Sequence, residues 1–263
     1  MRVVIFPEPG QQGKFWDALP NDWHLAHHQL RDELEQLGFT IGVWPCDVDK
    51  THDVGLCFDF PRYPCDIPGR AVCVTLEPPV VHPRQYDKIN GLPFQRVVTF
   101  AREFCDDQRV FWEPYPLIKY EGNLSEQRDK YICAVSGGAK DFPSVNIKGR
   151  IFESLYNARR LAYLSMGKDL DLYGVGWEND HEMLNAVNYK GAIENKIKTM
   201  SQYKHAIVFE NCTCEGYASE KQHDAHQAGV IPITRGWTPD YPWEYAYSQA
   251  WAKRIAQHVK AII

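Results

Sequence analysis

The chain has 263 residues, with 29 Lys and Arg against 34 Asp and Glu, so its formal net charge is -5. Hydrophobic residues make up 44% and charged residues 24%, which is an ordinary globular composition. These values exclude a disordered chain, a fibrous protein and a coiled coil. The mild acidity argues against a whole-protein nucleic-acid-binding surface, although a local basic groove stays open. The length favours two lobes over a single core.

The chain opens with a short β-branched run. Residues 2–6, RVVIF, predict a strand, and no apolar run approaches the roughly 20 residues that a membrane-spanning helix needs. The opening also lacks the longer apolar stretch and the small-residue cleavage site of a signal peptide. We therefore expect a cytoplasmic protein with no membrane span.

Strand and helix patterns alternate along the first 117 residues. A helix is predicted over 23–37, where leucines recur on one stripe and Gly38 provides a C-cap. Further strands are predicted in the β-branched runs 39–44, 54–58, 71–76 and 96–100. Runs that are apolar on both faces are typical of a parallel sheet buried between helices. The pattern predicts a Rossmann-like N-terminal domain over 1–117.

A second alternating series follows a predicted linker at 113–129, which holds two prolines, a glycine and several charges. Strands are predicted at 130–136, 171–174, 205–210 and 230–234, and helices at 148–166, 193–203, 219–228 and 241–261. This series predicts a second Rossmann-like domain over 118–245, with ligands bound beyond the carboxyl ends of its strands. The terminal helix, 246–263, is expected to pack back on the first lobe.

The strongest functional signal lies in residues 203–236, YKHAIVFENCTCEGYASEKQHDAHQAGVIPITRG. A predicted strand is followed by a polar loop, and Ser219-Glu220-Lys221 then opens a helix, with Ser219 as the N-cap. The Lys221 ammonium would lie beside free backbone N–H groups, where the helix dipole favours an anion. A diphosphate needs this arrangement. A capped helix with an exposed Glu-Lys pair is the alternative that the pattern leaves open.

This string resembles the donor-binding signature of glycosyltransferase family 10, the α-1,3/4-fucosyltransferases. The signature reads approximately YKF-x-L-x-FEN, then Y-V-T-E-K, D-A and G-x-V-P-I-x-x-G. The chain departs from it at His205, which replaces a Phe, and at Ala218-Ser219, which replace Val-Thr. The resemblance covers about residues 70–245 and is strong only over 130–236.

Shorter segments agree with the same family. VSGG at 135–138, followed by Arg150 and then Leu155, resembles the family's strand, loop and Arg-bearing helix. DLDLYGVGW at 169–177 resembles its short strand and glycine turn. In the first lobe, Glu77 precedes two prolines at the end of a predicted strand.

The resemblance implies a GT-B fold, in which two Rossmann-like domains face a central cleft. It also implies inverting transfer of a sugar from a nucleotide sugar, typically GDP-fucose, to the hydroxyl of a glycan or other acceptor. The N-terminal domain would bind the acceptor and the C-terminal domain the donor. A UDP-sugar donor stays open, because the motif reports a diphosphate sugar and not which sugar.

The family positions imply roles for individual residues. Arg150 and Lys221 would bind the departing diphosphate, so no obligatory metal is expected. Glu220 would contact the sugar and stabilise its developing positive charge. The other predicted donor-pocket residues are Ser136, Tyr173, Gly174, Asn211 and Tyr217.

The acceptor hydroxyl needs a carboxylate to take its proton. Glu77, at the carboxyl end of a predicted strand, is the predicted general base. Glu8, which follows the first strand, is the alternative.

Two other functions stay open. One is a phage-type enzyme that transfers a different sugar to hydroxymethylated DNA bases, using a basic cleft for which Arg84, Lys88, Arg96 and Arg102 are candidates. The net charge of -5 counts against a nucleic-acid acceptor. The other is a non-catalytic protein that retains the nucleotide-sugar pocket.

Overall fold

The computed structural model describes residues 1–7, 24–60, 66–91, 93–138 and 142–263. The chain divides into two compact units. The first comprises Met1–Ile118, Glu215–Tyr217 and Pro239–Ile263, and the second comprises Lys119–Cys214 and Ala218–Thr238. Each unit is built on its own parallel sheet, as the alternation of strand and helix patterns predicted.

A six-stranded sheet forms the centre of the first unit. Its strands are β1 Arg2–Phe6, β2 Thr40–Val43, β3 Val54–Phe58, β4 Arg70–Val74, β5 Arg96–Thr99 and β6 Val110–Trp112. They are ordered β2-β1-β3-β4-β5-β6, and every neighbouring pair is parallel. β3 is buried along its whole length, which explains its unbroken apolar sequence. The sequence reading missed β6, because three residues are too few to show a pattern.

Two long helices cover one face of this sheet. The described residues of the first unit include the helices α1 His24–Gln36 and α2 Pro83–Asp87, together with two helices near the C-terminus. The final helix runs over Ser248–Lys260 and packs against α1. Its residues Trp251, Ile255 and Val259 recur every four positions, so they share one face and enter the core with Leu30 and Leu34 of α1.

The second unit is built on a five-stranded sheet. Its strands are β7 Lys130–Val135, β10 Leu170–Tyr173, β11 Asn188–Gly191, β12 Tyr203–Phe209 and β13 Ile231–Arg235, while β8 Val145–Ile147 and β9 Arg150–Phe152 form a separate antiparallel hairpin. Its helices are α3 Tyr156–Met166, α4 His181–Ala186, α5 Lys196–Met200 and α6 Glu220–Gln227. The two C-terminal helices of the first unit are α7 Trp243–Ala246 and α8 Ser248–Lys260.

The strand order of the second sheet reverses between β7 and β12. The sheet is ordered β11-β10-β7-β12-β13, with all pairs parallel, so the chain builds outward from β7 first on one side and then on the other. In open parallel sheets, ligands bind beyond the carboxyl ends of the strands at such a reversal. The topology alone therefore marks the ends of β7 and β12 as a binding position.

The predicted helix over 148–166 begins later than expected. Residues 145–152 form the β8–β9 hairpin, and α3 starts only at Tyr156. Lys148 and Gly149 adopt φ values of 52° and 84°, which turn the chain between the two strands and interrupt a helix. Arg150 consequently lies on a strand of this hairpin.

The segment 239–245 groups with the first unit, although the sequence placed it in the second lobe. The Tyr245 ring lies parallel to that of Trp112, with centroids 5.9 Å apart. Asp240 accepts two hydrogen bonds from the guanidinium of Arg102, at 2.7 and 2.8 Å. These contacts join the segment to side chains beside β5 and β6, and no local pattern in 239–245 could have predicted such partners.

Candidate active site

A cavity of about 460 Å³ lies at the carboxyl ends of the strands of the second sheet. Its volume falls within the roughly 300–1,000 Å³ of small-molecule sites. The loops after β7, β10, β11 and β12 contribute to its walls, as do residues of α3, α5 and α6. Of the predicted donor-site residues, those that line it are Ser136, Gly174, Asn211, Glu220 and Lys221. Arg150, Tyr173 and Tyr217 do not.

Two glycine loops form one wall of the cavity. A Cβ atom on Gly174 would lie 2.0 Å from the Ser136 carbonyl oxygen, and one on Gly138 would lie 2.0 Å from the backbone of Gly176. The Gly138 N–H donates to the Val175 carbonyl at 2.7 Å, which joins the loops directly. Only glycine permits so close an approach, so Gly138 of VSGG and Gly174 of DLYGVG are required by geometry.

Ser136 and Tyr173 are committed to contacts within the second unit. The Ser136 hydroxyl lies 3.0 Å from that of Tyr163, and its carbonyl accepts the Trp177 indole N–H at 2.9 Å. The hydroxyl of Tyr173 lies 2.8 Å from that of Tyr203, away from the cavity lining. Ser136 therefore holds the first glycine loop, and the predicted donor contact of Tyr173 finds no support in its placement.

Arg159 on α3 is a cation of the cavity that the sequence reading missed. It is only 5% exposed, and its Nη2 donates to the Phe209 and Glu210 carbonyls and to Asn211 Oδ1 at 2.8–2.9 Å. Its Nε is buried and has no hydrogen-bond partner. An unsatisfied buried donor is costly, which marks Arg159 as a candidate binding residue of the cavity that it lines.

Arg150, the predicted diphosphate cation, is exposed on β9 and does not line the cavity. A signal for Arg159 was present in the sequence. Leu155, at the N-cap of α3, recurs with Arg159 and Tyr163 every four residues, and all three side chains are buried. Arginine is rarely buried without a partner, so an arginine within an apolar stripe indicates a site.

Lys221 is fixed by a buried carboxylate. Ser219 lies at the N-cap of α6 as predicted, but its side chain makes no capping hydrogen bond. The Ser219 hydroxyl instead donates to Glu210 Oε2 at 2.8 Å and accepts from Lys221 Nζ at 2.9 Å. Glu210 is fully buried and also accepts the Ser219 N–H at 3.0 Å. The Lys221 ammonium, 3.7 Å from Glu210 Oε2, is thereby held at the first turn of α6.

A third cation, Lys196 on α5, also lines the cavity and was not predicted. Its Nζ lies 2.8 Å from Asp224 Oδ2 and 3.3 Å from Glu220 Oε1. Partial burial opposes the ionisation of Glu220, but the ammonium groups of Lys221 and Lys196 prevail and lower its pKa below the usual range. Burial likewise opposes the charge on Lys196, yet Asp224 and Glu220 raise its pKa. Both side chains are therefore charged at neutral pH.

Glu77 follows β4 in the first unit, and hydrogen bonds hold its backbone. Its N–H donates to Asp59 Oδ1 at 3.1 Å, and its carbonyl accepts from Gln85 Nε2 at 3.1 Å and from the Tyr86 hydroxyl at 2.9 Å. Asp59 is buried, so the loop that carries Glu77 has a fixed path. Glu8, the alternative base, lies outside the described residues.

Tyr217 is buried in the first unit, where its ring centroid lies 4.7 Å from that of Phe100. Its predicted place in the donor pocket therefore finds no support. Among the residues that the structure describes, no group of three or more His, Cys, Asp or Glu side chains could hold a metal ion. No helix in the same part of the chain is long and apolar enough to cross a membrane.

No protein-family model matches the chain, and no curated protein matches it by sequence. Solved structures do. A crystal structure of α1,3-fucosyltransferase with GDP is 16% identical, with a TM-score of 0.51 over 99% of this chain and 79% of that one. A crystal structure of α1,3-fucosyltransferase without a named ligand is 16% identical, with a TM-score of 0.50 over 99% and 80%. An α-glucosyltransferase in complex with UDP and a mismatched 13-mer DNA is 13% identical, with a TM-score of 0.47 over 89% and 79%.

The chain has the GT-B fold. The predicted fold class is thereby confirmed, with two parallel α/β sheets as in the fucosyltransferase structures. At these identities the likeness extends to the fold alone.

The contact between the glycine loops predicts a difference between two alanine variants. Gly174→Ala and Gly191→Ala both place a side chain at positive φ, 123° and 78°, but only the first meets an obstacle, because nothing lies within 4 Å of a Cβ on Gly191. We expect Gly174→Ala to lose about 1–3 kcal/mol more unfolding free energy than Gly191→Ala. Urea unfolding followed by circular dichroism measures both. Equal losses would show that the loops separate without cost.

Proposed function

We propose that the chain is an inverting glycosyltransferase, which moves a sugar from a nucleoside diphosphate sugar to an acceptor hydroxyl. The observation that carries this proposal is the convergence of Arg159, Lys196 and Lys221 on one cavity. The cavity lies at the strand-order reversal of the second sheet, where ligands bind in open parallel folds. The sequence resemblance to the fucosyltransferase donor motif covers the same segment.

The cations suit a diphosphate leaving group. Negative charge builds up on the diphosphate as its bond to the sugar breaks, so fixed positive groups lower the barrier. Arg159 offers a buried Nε that lacks a protein partner, and Lys221 lies at the first turn of α6, where the helix dipole favours an anion. Arg159 and Lys221 thus take the roles that the sequence assigned to Arg150 and Lys221. With these cations, the departing group needs no divalent ion.

The carboxylates have separate roles in this proposal. Glu220 is ionised beside the cavity, which supports its predicted contact with the sugar as positive charge develops there. Glu77 is the proposed general base, because it follows a strand of the other sheet and its backbone is anchored by Asp59. Displacement with the base acting on the acceptor hydroxyl inverts the anomeric configuration.

GDP-fucose is the donor that the motif favours, and a glycan hydroxyl is the favoured acceptor. The argument for fucose is the resemblance of FEN, GYASEK and AGVIPI to the family signature. A UDP-sugar is the alternative donor, since the cavity cations recognise the diphosphate that both donors share.

Nucleotide binding is the first test. Ligand at about a hundredfold excess over its Kd adds about 2.7 kcal/mol of unfolding free energy, which raises the Tm by several degrees. We expect GDP and GDP-fucose to produce this shift and UDP, ADP and CMP to produce less. A shift selective for UDP would change the donor, and no shift with any nucleotide would contradict the donor site.

The two arginines provide matched variants for the same measurement. Arg159→Lys is expected to weaken GDP binding about tenfold or more, because it removes hydrogen bonds to a charged ligand. Arg150→Ala should leave the affinity unchanged. Arg159→Lys retains a cation that can reach the β12 carbonyls, which guards against loss of the fold. Weaker binding by Arg150→Ala with normal binding by Arg159→Lys would restore the original assignment.

Glu77→Gln should separate binding from transfer. We expect it to bind GDP normally and to lose transfer by about 10²–10⁴-fold, the usual contribution of a general base. Release of GDP from GDP-fucose in the presence of a glycan panel measures transfer. Glu35→Gln, an exposed change on α1, is the control and should retain full activity. Normal transfer by Glu77→Gln would assign the base to another residue, of which Glu8 is the first candidate.

A further inference from the structure

Five charged side chains alternate in sign along the cavity cations of the second unit. They follow the order Asp224, Lys196, Glu220, Lys221 and Glu210, with closest N–O distances of 2.8, 3.3, 3.8 and 3.7 Å. The two lysines contact the same oxygen of the central carboxylate, Glu220 Oε1. That oxygen therefore lies between two ammonium groups, both of which line the cavity.

The central carboxylate differs from the two outer ones. The side chains of Asp224 and Glu210 are 13% and 0% exposed, whereas that of Glu220 is 42% exposed. Turning a buried carboxylate away from its lysine would leave an unpaired buried charge, which is strongly unfavourable. Turning Glu220 toward solvent costs much less, because water replaces the lost contacts. Of the three carboxylates, Glu220 is therefore the one that a ligand can displace.

The geometry points to Glu220 as an internal counter-ion of the anion site. We propose that a diphosphate oxygen takes the position of Glu220 Oε1 between Lys196 and Lys221, and that Lys196 is thereby a diphosphate-binding residue. This inference rests on the proposed function and adds two claims to it. Lys196 joins the binding residues, and Glu220 competes with the diphosphate that it later accompanies in catalysis.

Two further observations and one electrostatic argument support this position for the anion. It lies at the start of α6, an eight-residue helix whose N-cap side chain is bound to Glu210 and does not cap the first turn. Arg159 lines the same cavity, and its buried Nε has no protein partner. A diphosphate placed beside an undisplaced Glu220 would suffer like-charge repulsion, and displacement removes it.

Displacement also sets the moment at which Glu220 becomes available for catalysis. A carboxylate shared by two lysines is neutralised and has little capacity to stabilise another cation. Once the diphosphate replaces it, the Glu220 carboxylate is released next to the sugar that the diphosphate carries. The charge that stabilises the developing oxocarbenium ion thus becomes available when the donor binds.

Binding of inorganic pyrophosphate tests the competition, with isothermal titration calorimetry as the measurement. Glu220→Gln is expected to bind pyrophosphate about tenfold or more tightly than the wild type, because a competing charge within 4–6 Å is removed. Glu153→Gln is the matched control. It removes the same charge from an exposed ion pair with Arg235 in the same unit, 2.9 Å long and away from the cavity, and should leave affinity unchanged.

A second pair of variants tests Lys196. The single change Lys196→Met would leave Asp224 buried and unpaired, so the double variant Lys196→Met/Asp224→Asn removes the ion pair as a unit. It should bind pyrophosphate and GDP about tenfold or more weakly than the wild type, although the net charge of the chain is unchanged. Unchanged binding by this double variant would overturn the role of Lys196.

The outcomes for the inference and for the proposed function are distinct. If the wild type binds GDP but Glu220→Gln binds pyrophosphate no more tightly than Glu153→Gln does, the internal counter-ion is wrong and the donor site stands. If the wild type binds no nucleoside diphosphate but Glu220→Gln binds pyrophosphate, the counter-ion stands and the donor proposal falls. If none of these proteins binds either probe, both are wrong.

Discussion

The candidate site depends on one buried charge, the Glu210 carboxylate at the end of β12. An ionised carboxylate without contact to water is strongly unfavourable unless charged and hydrogen-bonding partners surround it. Ser219 supplies its N–H and its hydroxyl, and Lys221 supplies a positive charge. These partners fix where α6 begins. The backbone carbonyl of Glu210 accepts in addition from Arg159, so a single residue positions two of the three cations.

The same constraint explains why separate parts of the motif occur together. A Cβ on Gly236 would lie 2.8 Å from the Cβ of Glu210. Only glycine therefore fits at this position, where the chain leaves β13 and passes the buried Glu210. FEN, SEK and the final glycine of the string are therefore parts of one packing arrangement. The glycine loops after β7 and β10 serve a different purpose. Their backbones pack directly on one another, which leaves room for a ligand in the cavity.

Features that depend on local pattern were predictable from the sequence, and features that depend on distant partners were not. Buried parallel strands are apolar on both faces, so β3, most of β4 and the later residues of β7 and β12 were visible as apolar runs. Local spacing places Arg159 on an apolar stripe, but it does not show the hydrogen-bond partners of Arg159, which are oxygens 50 to 52 residues further along the chain. Lys196 likewise pairs with Glu220, 24 residues away. Arg150 was misplaced because two residues at positive φ turn a predicted helix into a hairpin.

The charges of the site also determine how it can select an anion. Arg159, Lys196 and Lys221 face Glu210, Glu220 and Asp224, so the site has no excess positive charge, and the chain as a whole carries -5. This balance of charges in the described site gives little long-range attraction for polyanions in general. In the proposed site, recognition comes from exchange at short range, in which a ligand oxygen replaces a carboxylate oxygen. The side chains of Glu210 and Asp224 are only 0% and 13% exposed. In the proposed site, selectivity for a diphosphate therefore rests on displacement of the third carboxylate, Glu220, and on the fixed positions of the cations around it.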